Sequence, residues 1–159
     1  MNNVICAAKL DILTISLNIR SVLNKIPSAH ILSEPTDRAK GAIDNPVTRA
    51  NGTDMFVRLS AFDNDKRIDK IGGRLLPGSF ATTDADLQNC RNYKYDPIEW
   101  YALPSNDEIK WEFYIQPLKT DTLQRGFVQP ANEKQGGGEE AYFANGTSLG
   151  TYKGQINHF

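Results

Sequence analysis

The stretch that most constrains this chain is Gln135-Gly136-Gly137-Gly138-Glu139-Glu140-Ala141-Tyr142-Phe143. Three successive glycines let the backbone adopt positive φ or approach another group closely. Two carboxylates follow at once, and an apolar pair then opens a strand. Such a turn can deliver an acidic side chain to a ligand. It can equally be a tight loop ahead of a hairpin. Adjacent residues of an extended strand point to opposite faces, so only one of Glu139 and Glu140 can face a cleft.

The 159 residues suffice for one domain with a real core, and 40% hydrophobic with 23% charged content is ordinary for a globular chain. A net charge of −1, with Lys and Arg scattered, leaves no electrostatic footprint for nucleic acid. No apolar run reaches the roughly 18 residues needed to span a bilayer. Lys9, Asp11 and Arg20 interrupt the apolar start, so no targeting segment is read there and the compartment stays unassigned. Cys6 and Cys90 lack metal-ligand spacing and read as buried thiols, with a disulfide between them left open. Asn51-Gly52-Thr53 and Asn145-Gly146-Thr147 match the glycosylation acceptor pattern, and both read as turns.

An α+β domain is expected. Ile12, Ile15, Ile19, Val22, Leu23 and Ile26 lie on one helical face, and Pro27 closes that helix. Residues 27–51, rich in Pro, Gly and polar side chains, read as an irregular linker. The division is then 1–51, helix and linker, and 52–159, a β-rich domain that holds every candidate site residue. Met55 to Phe62 alternates as a strand with Arg58 at its middle. A short strand at 79–81 leads to a helix over about 84–90, with Thr83 as its cap. Strands are expected at Ile98–Leu103, Ile109–Leu118 and Leu123–Gln129. Ala141–Ala144 runs into the hairpin signal Asn145-Gly146, with a return strand near Thr151-Tyr152.

The chemistry available is narrow. His30 and His158 are the only histidines, which leaves little for Ser-His-Asp, Cys-His or zinc chemistry. There is no phosphate-binding glycine motif of the Walker or dinucleotide type. Asp63-Asn64-Asp65-Lys66 is a polar turn without the glycine and glutamate of a calcium loop. What remains is arginine, hydroxyls, aromatics and carboxylates. That set suits cleavage of a glycosidic bond through an oxocarbenium-like transition state, and NAD offers a pyrophosphate, a flat leaving group and a ribose to match. No cofactor is expected; NAD would be the substrate.

Residues 69 to 142 resemble the NAD glycohydrolase toxin domain of the tuberculosis necrotizing toxin type. The similarity lies in Asp69-Lys70-Ile71-Gly72, Tyr101-Ala102-Leu103-Pro104, Pro117-Leu118 and Gln135-Gly136-Gly137-Gly138, in that order. The chain departs from that family in several places. Lys70 and Tyr101 stand where it has arginines, Glu140 where it has glutamine, and its strand histidine has no counterpart beyond nearby Lys110. The resemblance implies Glu140 as a catalytic group and Lys70, Arg74, Tyr101, Gln135 and Gly137 as substrate-binding positions. It also implies a toxin or effector role with a cognate immunity protein.

A second layout is similar to ADP-ribosyltransferase toxins. Arg58 sits mid-strand, Gly78-Ser79-Phe80-Ala81-Thr82-Thr83 follows, and Gly138-Glu139-Glu140 comes later. This resemblance implies that Arg58 binds the NAD phosphate, that Ser79 or Thr82 buttresses the site, and that Glu140 contacts the nicotinamide ribose. A third reading is a non-catalytic binding or structural protein on a related β scaffold.

Overall fold

The computed structural model describes residues 40–158. The expected helix, residues 27–39 of the expected linker, Cys6 and His30 lie outside the described residues. The described chain runs through β1 (Thr48–Arg49), β2 (Phe56–Ser60), β3 (Ile68–Asp69), β4 (Arg74–Leu75) and β5 (Ser79–Thr83). The helices α1 (Asp84–Asn92) and α2 (Pro97–Trp100) follow, then β6 (Trp111–Ile115), β7 (Thr122–Phe127), β8 (Glu139–Phe143) and β9 (Tyr152–Asn157).

Seven strands form one antiparallel sheet in the order β1-β7-β8-β5-β2-β6-β9, and β3 with β4 makes a separate ribbon. The fold is therefore a β-rich α+β fold. Strand alternation divides the apolar residues between two faces. On one face Phe56, Phe113, Ile115, Ala81, Ala141 and Phe143 pack together with Ile68 and Leu75 of the ribbon. Phe56 and Phe143 meet edge to face at 5.3 Å. On the other face Val57 packs with Leu87 and Cys90 of α1, with Tyr101 and Ala102 after α2, and with Val128. Burial pushes the Cys90 thiol up to about 11, as expected of a thiol that serves packing.

The sheet is two half-sheets with a narrow join. Strands β2 and β5 pair only at Phe56–Thr83 and Val57–Thr82. Past Val57, β2 continues on β6 through Ser60, while Ser79 to Ala81 of β5 pair with β8. The two strands therefore part, and a split opens between the halves.

Residues 40–51, expected as the end of a linker, belong to this β-rich unit. A 3₁₀ turn at Ala42–Asp44 precedes β1, which pairs with β7. Asn45 donates from Nδ2 to the Arg125 carbonyl at 2.8 Å. Gln124 donates from Nε2 to the carbonyls of Ile43 and Asn45 at 2.8 and 2.7 Å. Gly126 makes the crossing possible, because a Cβ there would stand 2.5 Å from the Ala42 nitrogen and the Gly41 carbonyl carbon. Among the described residues no helix is long and apolar enough to cross a membrane.

Two local expectations are corrected. Ile98–Leu103 begins as the end of helix α2, not as a strand. Asp96 accepts the Ile98 N–H at 2.9 Å and Pro97 occupies the first turn, so the start signals of a helix outweigh a short apolar run. Asn145-Gly146 does make a tight turn, with Gly146 at φ 69. The return strand does not pair with β8, however; β9 pairs with β6 at the far edge. The cause lies in the intervening loop. Thr147 Oγ1 accepts the Leu75 N–H at 2.9 Å and meets Thr151 Oγ1 at 2.8 Å, which ties the loop to the ribbon.

Candidate functional site

The split between β2 and β5 opens into a cleft of about 1000 Å3, at the upper end of the range for small-molecule sites. Arg58 and Leu59 of β2, Phe80 of β5, Glu140 of β8, and Tyr101 and Leu103 after α2 line it.

Arg58 is locked in place. Its Nε donates to Asp65 Oδ1 at 3.0 Å and its Nη1 to the Phe80 carbonyl at 3.1 Å. The guanidinium thus bridges the seam where β2 and β5 have stopped pairing. Asp65 Oδ1 also accepts the Arg67 N–H at 2.8 Å, so the polar turn after β2 supports the arginine. Lys66 and Arg67 of that turn also line the cleft and make this end cationic.

The cleft also carries carboxylates. Glu140 Oε1 accepts the Ala42 N–H at 2.8 Å, and Asp44 stands beside it. Loss of water around Glu140 raises its pKa above the ordinary carboxylate value; the Ala42 N–H opposes that rise and the Asp44 charge adds to it. Glu139 leaves β8 on the other face, as alternation requires. It accepts from Thr83 Oγ1 at 3.0 Å and from Arg125 Nη2 at 3.3 Å. Its pKa is raised by burial, with Arg125 pulling the other way.

The glycine loop packs on α2. Gly136 N–H donates to the Glu99 carbonyl at 3.1 Å and Gly138 N–H to the Trp100 carbonyl at 3.0 Å. A Cβ on Gly138 would lie 2.5 Å from Tyr101 Cε1 and 2.7 Å from Trp100 Cδ1. Gly137 adopts φ 114 over the Trp100 ring. The three glycines are thus a close-packing device beneath Glu140.

The remaining expected site residues divide clearly. Tyr101 lines the cleft, with its hydroxyl donating to Asp86 Oδ2 at 3.0 Å. Thr82 is buried behind it. Ser79 is buried on the opposite face, its hydroxyl donating to the Leu76 carbonyl at 2.6 Å. Arg74 belongs to the ribbon and is paired with Asp69 at 3.2 Å. Lys70 donates to the Asp63 carbonyl at 2.6 Å. Neither Lys70, Arg74, Gln135 nor Gly137 lines the cleft. Sequence reasoning did not single out Phe80, Asp65 or Asp86. The signal for Asp65 was present in the acidic turn after β2. Asp86 was hidden among the acids of a helix cap. No group of three or more His, Cys, Asp or Glu side chains among the described residues could hold a metal ion.

Comparison of the chain with protein-family models, curated proteins and solved structures finds no match.

Proposed function

We propose that this protein binds NAD in the cleft and hydrolyses its nicotinamide–ribose bond. The observation that carries this reading is that Arg58 and Glu140 line one cleft at the split in the sheet. NAD has the matching polarity: an anionic diphosphate and a cationic pyridinium. In this reading the cationic end takes the diphosphate, Arg58 contributing the guanidinium N–H groups that Asp65 and the Phe80 carbonyl do not use. Phe80 and Tyr101 offer ring surface to the flat nicotinamide.

As the C–N bond breaks, the electron pair leaves with nicotinamide, which becomes neutral. Positive charge passes to the ribose, and in this reading the Glu140 carboxylate, held by the Ala42 N–H, stabilises that charge. Water adds to the anomeric carbon and loses a proton, giving ADP-ribose, nicotinamide and H⁺. A chain with this activity depletes NAD, so the reading includes a toxin or effector role and an inhibitor partner in any cell that makes it.

The transferase alternative shares Arg58 and Glu140 but also asks for Ser79 or Thr82 at the site. Ser79 faces the core and Thr82 is covered, while Lys70, Arg74, Gln135 and Gly137, which the glycohydrolase resemblance asks for, do not line the cleft, so these positions do not separate the two readings. The test is to mix the purified full chain with NAD and follow free nicotinamide. Release without a protein acceptor is expected. Release only when a target protein becomes modified would support the transferase. No release from a folded sample would reject both and favour a binding protein.

A further inference from the structure

We infer that Asp86 is the positioning residue of this site: its carboxylate fixes the start of β8, and so Glu140, against the wall that carries Tyr101. This rests on the reading of the cleft given above.

Asp86 is the third residue of α1. Thr83 caps that helix by accepting the Asp86 N–H at 3.1 Å. In a capping box the acid at this position would turn back to the N–H of the cap residue. Asp86 instead directs Oδ2 away from its own helix. That one oxygen accepts from Trp100 Nε1 at 3.1 Å, Tyr101 Oη at 3.0 Å and the Glu139 N–H at 3.1 Å. The donors come from α2, from the residue after it, and from the first residue of β8. Asp86 is buried, 9% exposed as a residue, and hydrogen bonds to an ionised acceptor are roughly twice as strong as those to a neutral one.

The block is braced from two further sides. Tyr95 stacks on Trp100 at 4.4 Å and 16°. The Gly136 and Gly138 amides are bound to carbonyls of α2, so Gly136, Gly138 and Glu139 are all anchored just before Glu140. Asp86 does not line the cleft and does not meet Glu140. Its effect on chemistry must pass through the backbone of β8 and through the Tyr101 hydroxyl.

The test compares Asp86→Asn with Leu87→Ala, which trims a buried side chain of the same helix that packs in the cluster of Tyr101 and Trp100 but removes none of the network's hydrogen bonds. In Asp86→Asn the kcat for nicotinamide release should fall about 30-fold with KM within about twofold, because a displaced Glu140 loses hold of the transition state. The amides of Gly138 and Glu139 should exchange hydrogen at least about tenfold faster. Leu87→Ala should lower Tm with kcat unchanged. Trp100→Phe, which keeps a stacking ring and deletes one donor, should show the same kcat effect in weaker form, about threefold; this arm stands if Asp86→Asn does not fold.

Equal kcat losses in Asp86→Asn and Leu87→Ala at equal loss of Tm would overturn the inference. Unchanged exchange at Glu139 in a wild type that turns over NAD would overturn it too, and leave the hydrolase reading standing. A wild type silent on NAD, with faster exchange in Asp86→Asn, would overturn the substrate reading and support the positioning.

Discussion

On the β2 side of the cleft Arg58 is held by side-chain charge and by one carbonyl, Asp65 and Phe80, both reached by its own guanidinium. On the β8 side Glu140 is held mainly by backbone. Glycines let β8 start close against α2, amides bind carbonyls of that helix, and Asp86 ties the group together. The first wall depends on a few replaceable atoms. The second depends on the absence of atoms, since there is no room for a Cβ at Gly138. Overpacking of the β8 wall should therefore appear as lost stability, and damage to the β2 wall as weaker binding.

The largest effect expected is from Gly138→Ala. The new methyl would press on both Tyr101 and Trp100. Neither ring is free to yield, because Asp86 holds both polar atoms and Tyr95 covers Trp100. Overpacking of this kind costs about 3 kcal/mol, equivalent to a fall of roughly 10 °C in Tm for a domain of this size. Thermal melting checks it. A Tm within 2 °C or so of wild type would mean that the loop moves freely and that the contrast between the walls is false.

Next come the two cleft side chains, which should separate in kinetics. Glu140→Gln keeps the acceptor for the Ala42 N–H and removes the charge. Its kcat should fall about 100-fold, about 2.7 kcal/mol of transition-state stabilisation, with little change in KM. Arg58→Lys keeps the charge but loses the planar fork, so it cannot satisfy Asp65 and Phe80 together. Its KM should rise about tenfold, about 1.4 kcal/mol, with kcat changed far less. If both variants moved the same parameter, the division into a binding end and a transition-state end would not stand.

The same contrast explains what was legible in the sequence. The Arg58 strand is local: alternation over Met55 to Phe62 places the arginine, and the acidic turn that holds it follows within a few residues. Helix α1 and its Thr83 cap were legible for the same reason, as were the opposite faces of Glu139 and Glu140. The β8 wall is not local. It needs α2, misread as a strand because Ile98-Glu99-Trp100-Tyr101 is apolar enough for either, although Asp96-Pro97 announces a helix. It also needs residues 41–44, whose packing against β7 depends on the small side of Gly126. Ser79 was misplaced by one step of alternation. Strand β5 does lie at the cleft, but Phe80, not Ser79, faces it. The seam between the half-sheets had no sequence signal, because strand separation is decided by pairing partners far away in the chain.

The smallest effect is a pH dependence confined to the β8 wall. Glu140 has its pKa raised by burial above the ordinary value of 4.5. Between the unfolded and folded values the folded protein binds more protons than the unfolded chain, and stability falls as pH rises through that window. The contribution is fully present below the unfolded value and lost above the folded one. Glu140→Gln removes this titration while keeping the acceptor for Ala42. The Tm of the variant minus that of wild type should therefore increase as pH rises from 4.5 toward neutrality, by an amount on the order of a few degrees. Glu139→Gln should show less of this drift, because Arg125 favours its charged form and loses a partner when the charge is removed. Parallel melting curves for wild type and Glu140→Gln across that range would show that Glu140 is as well solvated in the fold as in the open chain. The β8 wall would then confine the carboxylate without desolvating it, and the part played by burial at this end of the cleft would have to be given up.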